Sequence, residues 1–479
     1  MKVTLTNNNQ TLIGRRGENL LLLLRRKGVF VSADCGGHGK CGKCGVKITV
    51  NGNTQNVLAC RYILNENCKV ELPQFDDGCI TQTPSLSPAV KPKCRLGVVL
   101  DVGTTTLAYR LINTDTGEVL DTAAELNNQK IYGADVLSRI SACFNGKTDA
   151  LQALVLRSVR EKLLYYANRY GAISRLMVAG NATMLHLFCG INPSPLGVFP
   201  FTPVFTGIKK LKGRELSLPA EDVTLLPSVS AYVGADIVAG AVALNAARQN
   251  CLLVDIGTNG EIMAVKDGEI ICASTAAGPA FEGASVSCGT GGIKGAVDSV
   301  RFVDGKINFT TIGGEAPTGI CGAGLISAVA LMRRLNIVEE NGFMPSGNFE
   351  ICENISLTQK DVREFQLAKS AIISGITVVT EKIGGIDALD SIYIAGGLGF
   401  YMNLNDAIST GLLPSAAEKK AIAAGNTALD GASKCLLSSS AVGEANLIAS
   451  RARNIELSVL KEFTDSFVDN LFIKPNERI

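Results

Sequence analysis

The chain has 479 residues, 46% of them hydrophobic, a length that indicates two or more domains rather than a single core. Its 46 basic and 44 acidic residues give a formal net charge of +2, so we expect no nucleic acid and no membrane surface as a partner. The N-terminus lacks the pattern of a signal peptide, and no apolar run is long enough to span a bilayer. We therefore expect a cytoplasmic protein whose 15 cysteines are mostly buried small hydrophobic residues rather than disulfides.

The first 75 residues have the pattern of a small α+β domain. Two short strands, KVTLT and QTLIG, precede a helix, GENLLLLLRRKG, that ends in basic residues and glycine. GVKITV and CKVELP are predicted as further strands. This order predicts a β-grasp ferredoxin-like domain over residues 1–75.

Three cysteines crowd the segment DCGGHGKCGKC, which follows the predicted helix. Cys35, Cys41 and Cys44 are spaced C-x5-C-x2-C, and Cys60 follows the strand GVKITV. This spacing matches that of plant-type [2Fe-2S] ferredoxins with one extra residue in the first gap. The glycines of the loop would let backbone N–H groups approach the sulfurs of a cluster. The sequence therefore predicts a one-electron carrier with these four cysteines as ligands.

Two other roles for these thiols stay open. A structural zinc site is one, although zinc ribbons usually have two C-x2-C pairs and this segment has one. A disulfide is the other. A Rieske centre needs two histidine ligands, whereas His38 is the only histidine in the loop.

The chain changes character after the first domain. Residues 76–95 are rich in proline, serine and threonine without apolar periodicity, and are predicted as a linker. Two similar segments then open the halves of a second domain, predicted to span residues 96–250 and 251–479. RLGVVLDVGTTTLAYRL and NCLLVDIGTNGEIMAV each contain a buried strand, an Asp-x-Gly-Thr turn and a second strand. This repeat predicts two turns that face each other across a cleft.

The repeated turns carry residue types that suit a nucleotide with its metal ion. Asp101 and Asp255 stand at strand ends, where carboxylates can hold Mg²⁺, and the Gly-Thr steps offer N–H groups and hydroxyls to phosphates. A third motif, AGGLG, would let a nucleoside lie against its backbone, although it also suits a tight strand–helix turn. The residues predicted to bind ATP are Gly103, Thr104, Thr105, Thr106, Gly257, Thr258, Asn259, Gly260, Gly396, Gly397 and Gly399.

Two residues are candidates for positioning the water that attacks ATP, namely Gln129 in LNNQKIYGAD and Glu282 in GPAFEGA. For Glu282 the alternative is a loop carboxylate that caps a nearby helix. Asp135 is a further candidate, with a helix N-cap as an equally open alternative. The predicted catalytic residues are Asp101, Asp255, Gln129 and Glu282.

Strands alternate with helices along both halves, which predicts an α/β fold with a mainly parallel sheet in each half and the nucleotide between them. The order DxGTT, DxGTN, AGGxG resembles the actin/hexokinase/Hsp70 ATPase superfamily, which has a duplicated ribonuclease H-like fold. The sequence has neither a GxxxxGK(S/T) P-loop nor a kinase glycine-rich loop, which argues against those nucleotide-binding folds.

A ferredoxin domain joined to this ATPase resembles the reductive activators of corrinoid proteins. The resemblance covers essentially the whole chain and rests on CGGHGKCGKC, DVGTTTLAYRL, NNQKIYGADVLSRI, VAGNATMLHLF, DIGTNGEI, AAGPAFEGA, TGICGAGLI and AGGLGFYMN. It implies that ATP binding and hydrolysis enable an electron to pass from the [2Fe-2S] cluster to an inactive Co(II) corrinoid, which regenerates Co(I) for methyl transfer.

The same resemblance implies partners. They are a corrinoid protein or a corrinoid-dependent methyltransferase subunit, together with an electron donor that is a ferredoxin or a reductase. A homodimer is compatible with the family, although the linker here is shorter than in the longer members, which make dimer contacts in that region.

Three other functions remain open from the sequence. A small-molecule kinase with an appended ferredoxin would use the same cleft, and a non-catalytic redox-sensing module would bind ATP without hydrolysing it. An activator of a dehydratase-type enzyme would hold a [4Fe-4S] cluster between subunits, and we find no suitable cysteine pair for it in the ATPase part.

Overall fold

The computed structural model describes residues 1–6, 10–27, 29, 31, 44–72 and 95–476. The predicted ligands Cys35 and Cys41 lie outside the described residues, as does nearly all of the predicted linker at 76–95. Among the described helices, none combines the length and the apolar character needed to cross a lipid bilayer.

A five-stranded sheet and one helix form the N-terminal domain. Its elements are β1 Lys2–Leu5, β2 Thr11–Ile13, α1 Leu20–Arg26, β3 Gly45–Val50, β4 Asn53–Leu58 and β5 Cys68–Glu71. The strand order is β2-β1-β5-β3-β4, with β1 and β5 parallel. Leu20, Leu23 and Leu24 recur at helical spacing and are buried in the domain's apolar core. These features confirm the predicted ferredoxin-like fold. The sequence did not predict β4, whose residues NTQNVL are mostly exposed and do not alternate.

The first half of the second domain is built on a six-stranded sheet. Its elements are β6 Leu96–Val102, β7 Thr106–Asn113, β8 Val119–Leu126, α2 Val136–Phe144, α3 Thr148–Tyr170, β9 Ile173–Gly180, α4 Ala182–Phe188, β10 Lys209–Lys212, β11 Ala220–Leu225 and α5 Ala235–Leu244. The strand order is β10-β11-β9-β6-β7-β8. Strands β6 to β8 form an antiparallel meander, and β9 and β11 run parallel to β6.

The second half repeats this arrangement. Its sheet has the order β21-β20-β12-β13-β14-β22. The strands of this half are β12 Cys251–Ile256, β13 Gly260–Lys266, β14 Glu269–Thr275, β15 Ala296–Val303, β16 Lys306–Thr311, β17 Gly319–Ile320, β18 Asn348–Cys352, β19 Ile355–Thr358, β20 Ser391–Ala395, β21 Ala421–Gly425 and β22 Arg453–Asn454. The helices are α6 Gly322–Arg334, α7 Gln359–Glu381, α8 Gly396–Tyr401, α9 Leu404–Ser409, α10 Ala417–Lys420, α11 Thr427–Leu437, α12 Ser439–Arg451 and α13 Lys461–Asp469.

The two equivalent sheets confirm the duplicated, actin-like α/β fold. Both sheets are mixed, so the expectation of a mainly parallel sheet was wrong for the first half, where three of the five strand pairings are antiparallel. In the second half three of the five pairings are parallel. Short hairpins join β6 to β8 and β12 to β14, and a short hairpin can connect only antiparallel neighbours. Parallel pairing begins where a helix carries the chain back to the sheet, as before β9 and β20.

One apolar core includes residues from both sheets and holds the halves together. Helix α5 contacts β9 of the first sheet and β12 of the second, and α11 contacts α5, β6 and β9. The approach of the two helices is close enough that a Cβ at Gly431 of α11 would overlap the carbonyl oxygen of Ala239 in α5. The carboxyl ends of β6 and β12 therefore face each other across a well-packed junction.

Candidate nucleotide site and cluster-ligand pair

The first Asp-x-Gly-Thr turn is closed by the residue that follows the β7–β8 hairpin. Asn127 donates from Nδ2 to the Gly103 carbonyl at 2.9 Å and from its backbone N–H to the Thr105 carbonyl at 2.8 Å. A Cβ at position 103 would lie 2.6 Å from the carbonyl oxygen of Thr106, so only glycine fits this turn. The predicted residues Gly103 to Thr106 thus form one compact loop after Asp101.

The second turn has the same shape. The Gly257 N–H donates to the Asn259 carbonyl at 3.1 Å, which closes the loop after Asp255. Gly260 begins β13 and packs against Thr275, whose hydroxyl oxygen lies 2.8 Å from the position of a Cβ at residue 260. Gly260 therefore supports the turn from within the sheet.

Glu282 joins the two turns. Its carboxylate accepts from the Thr258 N–H at 3.0 Å and from the Thr258 hydroxyl at 2.7 Å. The same carboxylate accepts from the hydroxyl of Thr105 in the opposite half. Glu282 lies at the end of a short 3₁₀ segment, and these contacts take the place of the helix-capping alternative considered from the sequence. One side chain thus spans the cleft between both halves.

Five carboxyl groups converge at this point. We call Asp101, Asp236, Asp255, Glu261 and Glu282 the acidic cluster. The sequence had not singled out Asp236 and Glu261. Residue 261 is brought in by the sheet register, which pairs it with residue 255, and residue 236 stands in the first turn of α5.

Burial and mutual repulsion raise the pKa values of Asp101, Asp236, Asp255 and Glu261. Burial, together with the charge of Asp236, raises the pKa of Asp101 to about 7. Burial and the charges of Asp101 and Glu282 raise the pKa of Asp255 to about 7. Burial and the charge of Asp255 raise the pKa of Asp236 to about 6, and burial next to Asp236 raises the pKa of Glu261. Within the described residues, no three or more Asp, Glu, His or Cys side chains are placed to hold a metal ion by themselves. A hard divalent cation such as Mg²⁺ would therefore be bound here by one or two carboxylates together with phosphate oxygens.

The glycines of the third motif have separate roles. Gly396 has φ +86°, and a Cβ there would lie 2.8 Å from Asp255 Oδ1, so this glycine packs directly against the second turn. Gly397 faces open space. Gly399 is packed on its own strand, since a Cβ would lie 2.7 Å from the Ile394 carbonyl oxygen. Gly396 therefore lies beside Asp255, Gly397 has open space next to it, and Gly399 supports the strand–helix junction.

Two predicted residues point into the first half rather than into the cleft. Gln129 is 0% exposed and donates to the Leu151 carbonyl at 3.0 Å, while its Oε1 accepts from Asn127. The Thr104 hydroxyl is buried and accepts from Asn181 at 3.1 Å. Both side chains therefore use their hydrogen-bonding capacity inside the fold, and neither contacts the acidic cluster.

Two further polar residues complete the surroundings. Asp135 is the N-cap of α2 and accepts from the Ser138 N–H at 2.7 Å, in agreement with the capping alternative. Asn426, which precedes α11, donates to Asp101 at 3.2 Å while it caps its helix. The sequence offered a signal for Asn426, because Gly-Asn-Thr before an apolar helix is a typical N-cap.

The described part of the predicted cluster site brings two cysteines together. Cys44 and Cys60 flank the paired ends of β3 and β4, where the Ala59 N–H donates to the Cys44 carbonyl at 2.8 Å. Asn19 donates to the Cys60 carbonyl at 2.8 Å. Cys68, by contrast, is buried in β5, and burial raises its pKa to about 11. The strand register thus places Cys44 and Cys60 at the same end of the β3–β4 pair, whereas Cys68 lies in the core.

Comparisons with known proteins cover almost the whole chain. Residues 3–65 match the 2Fe-2S iron-sulfur cluster binding domain, residues 96–249 match the RACo middle region, and residues 249–478 match the C-terminal domain of RACo, the ASKHA domain.

Two relatives share 28% identity with the chain. The corrinoid activation enzyme RamQ of Eubacterium limosum aligns over 94% of this chain and 95% of its own length. The [Co(II) methylated amine-specific corrinoid protein] reductase of Methanosarcina barkeri aligns over 78% of this chain and 76% of its own.

A solved structure shares the architecture. It is described as a reductive activator for a corrinoid, iron-sulfur protein and superposes with a TM-score of 0.74 at 27% identity. The match covers 99% of this chain and 98% of that chain, so the fold is shared from end to end.

Proposed function

This protein belongs to the RACo family of reductive activators of corrinoid proteins, and we propose that it binds ATP and Mg²⁺ between the halves of its ASKHA domain to enable reduction of a Co(II) corrinoid protein to Co(I). The family and the Co(II) reductase activity agree with the resemblance drawn from the sequence. The nucleotide, the metal ion and the roles of individual residues are our proposal.

The acidic cluster supports a role for Mg²⁺. Asp101 and Asp255 project from opposite halves, burial raises the pKa of both, and the charge of Asp101 further raises the pKa of Asp255, so a bound cation would stabilise both ionised carboxylates. We propose that Asp101 and Asp255 bind the ion. Asp236 and Glu261 would then be neighbouring carboxyl groups that adjust the net charge of the site. When bound, the ion would neutralise phosphate charge.

Glu282 is the observation that carries the proposal. It accepts hydrogen bonds from Thr105 of one half and Thr258 of the other, where both threonines are predicted to donate to phosphates. A phosphate that takes over these donors would free the carboxylate to hold a water molecule as a general base. The hydrogen bonds of Glu282 to both halves would therefore change when a triphosphate binds. We assign Glu282 this role in preference to Gln129, which is engaged in the interior.

We also propose roles for the remaining predicted residues. We propose that the turns 103–106 and 257–260 bind the phosphates mainly through backbone N–H groups, since the Thr104 hydroxyl is engaged by Asn181. The open face at Gly397, beside Gly396, would receive the nucleoside.

On the electron-transfer side, Cys44 and Cys60 would hold the [2Fe-2S] cluster together with Cys35 and Cys41. The cluster would supply one-electron transfer when bound. An external ferredoxin or reductase is the proposed donor, and a corrinoid protein or corrinoid-dependent methyltransferase subunit is the proposed acceptor. ATP can make this transfer favourable only if the ATP-bound form has a different affinity for the partner or its cobalt state than the ATP-free form.

The test combines a cleft variant with the corrinoid spectrum. Because Gln cannot act as a base, E282Q is expected to lower the ATP turnover number about a hundredfold while ATP binding persists. The rate at which Co(I) appears, followed by its visible absorption with a low-potential reductant, should fall in parallel.

The control is E315Q, since Glu315 is exposed and lies outside the cleft. This variant should retain wild-type rates in both measurements. The proposal is refuted if Co(I) forms equally fast in the wild-type protein without ATP, or if E282Q hydrolyses ATP normally.

A further inference from the structure

Arg139 is a fully buried cation that the proposed function leaves without a role. It belongs to α2, is 0% exposed, and forms no ion pair within the part of the chain that the structure describes. A buried charge is costly unless it is paired or fully hydrogen-bonded. The position of this guanidinium therefore needs an explanation beyond packing.

The guanidinium makes its hydrogen bonds to the frame of the first turn. Nε donates to the Gly133 carbonyl at 3.1 Å, Nη1 donates to Gln129 Oε1 at 3.2 Å, and Nη2 donates to the carbonyl of Thr104. Gln129 is itself held by the Leu151 carbonyl. The Thr104 carbonyl is thus held by a cation whose other hydrogen bonds are anchored in the interior.

The charges of Asp135 and Glu282 stabilise the Arg139 cation, and neither carboxylate forms an ion pair with it in the described part of the chain. Asp135 is occupied as the α2 N-cap by the N–H and hydroxyl of Ser138, each at 2.7 Å. Glu282 contributes to the potential at Arg139 from the cleft side. Burial lowers the pKa of Arg139 to about 9, so the group remains protonated at neutral pH.

The hydrogen bond from Arg139 to the Thr104 carbonyl also fixes the orientation of the Thr104–Thr105 peptide. In a planar trans peptide the C=O and the following N–H point in opposite directions. The Thr104 carbonyl points inward to Arg139, so the Thr105 N–H points away from Arg139. The hydroxyl of the same residue, Thr105, donates to Glu282.

We propose that Arg139 is a positioning residue that holds the Thr104–Thr105 peptide so that the Thr105 N–H is aimed at the terminal phosphate of the nucleotide. The inference rests on the proposed ATP site. Gln129 acts in this arrangement as part of the frame behind the turn. A lysine could keep the charge, but a single ammonium nitrogen does not reproduce the planar fork that reaches three oxygen acceptors and the sulfur of Met184.

The experiment compares the dissociation constants of a triphosphate and a diphosphate. In R139M the Kd of a non-hydrolysable ATP analogue should rise about tenfold relative to the Kd of ADP, because ADP lacks the phosphate that the Thr105 N–H would contact. R139K should raise the same ratio about threefold, since the charge is kept and the fork is lost. R139K also supplies the result if R139M does not fold.

The matched control is R301M, which removes a partly buried arginine from its 2.6 Å ion pair with Asp406 in the second half. It tests general destabilisation and should leave the ratio unchanged. A wild-type ratio in R139K, or an equal rise in R301M, overturns the inference while the ATP proposal stands. A wild-type protein that binds neither nucleotide overturns both.

Discussion

At the scale of single residues, chemistry at the cleft depends on side chains whose partners come from distant parts of the sequence. Thr105 and Glu282 are 177 residues apart, and Asn426 and Asp101 are 325 residues apart. The sequence singled out Asp101, Asp255 and Glu282 by residue type, and the structure brings their carboxyl groups together, although their roles stay predictions. Gln129 has an equally suitable side chain, but its surroundings direct it to the Leu151 carbonyl. The sequence does not distinguish an amide side chain that faces the cleft from one that points into the interior.

The acidic cluster predicts an unusual pH dependence of stability in the absence of metal ions. The native state holds protons on Asp101 and Asp255 up to about pH 7, whereas an unfolded chain releases them near pH 4. The native state therefore binds more protons than the unfolded state between these values, and its stability falls as pH rises through this window. Above about pH 7 the free energy of unfolding has fallen by the full amount.

D255N removes one of these titrating groups, so we expect it to be more stable than the wild-type protein at pH 8, by on the order of 1 kcal/mol, and nearly equal at pH 4. Thermal unfolding midpoints in EDTA at the two pH values measure the difference. D304N, in an exposed turn, is the matched control and should follow the wild-type protein. Greater stability of the wild-type protein at pH 8 would contradict the assignment of a repulsive cluster.

At the scale of elements, the turns and caps were predictable, and the contacts between elements were not. The strands that carry Asp101 and Asp255, the helices α3 and α7, and the strand before AGGLG follow from apolar periodicity. The sheets are mixed because short hairpins connect some of their strands. The alternation of strands and helices along the sequence did not reveal this. The close crossing of α5 and α11 depends on a glycine whose neighbour lies in the other half.

Two helical glycines should respond oppositely to the same change. G431A would force a methyl group into the Ala239 carbonyl, and we expect a loss of about 2 kcal/mol or more in the free energy of unfolding. G443A, in α12, has nothing within 4 Å of the new Cβ and should gain about 0.5–1 kcal/mol from helix propensity. Urea unfolding, followed by far-ultraviolet circular dichroism, distinguishes the two. Equal effects would mean that the halves are not joined as tightly as the helix crossing indicates.

At the scale of the whole molecule, an iron–sulfur domain and an ATPase share one chain. The family matches and the end-to-end structural likeness show that this combination is a property of the RACo family. The predicted boundaries at residues 75, 95 and 250 stay predictions. Because each domain has its own apolar core, loss of the cluster should not unfold the nucleotide site.

C60S tests whether the nucleotide site is independent of the cluster. It should lose iron and the visible absorption of the cluster, and corrinoid reduction with it, while the Kd for ATP stays within about twofold of the wild-type value. C68S is the control, since Cys68 packs in the domain core and should leave the absorption unchanged. A coloured C60S protein that still delivers electrons would remove Cys60 from the ligand set.

The sequence by itself determined the spacing of the cysteines, the paired Asp-x-Gly-Thr turns and the family to which they point. These features are local, because ligand spacing and turn geometry are set by a few consecutive residues. Only the tertiary structure decided that Glu282 spans both halves, that Asp236 and Glu261 join Asp101 and Asp255, and that Arg139 lies behind the first turn. Such contacts depend on strand register and on which elements share a core, and a single turn or strand does not carry that information.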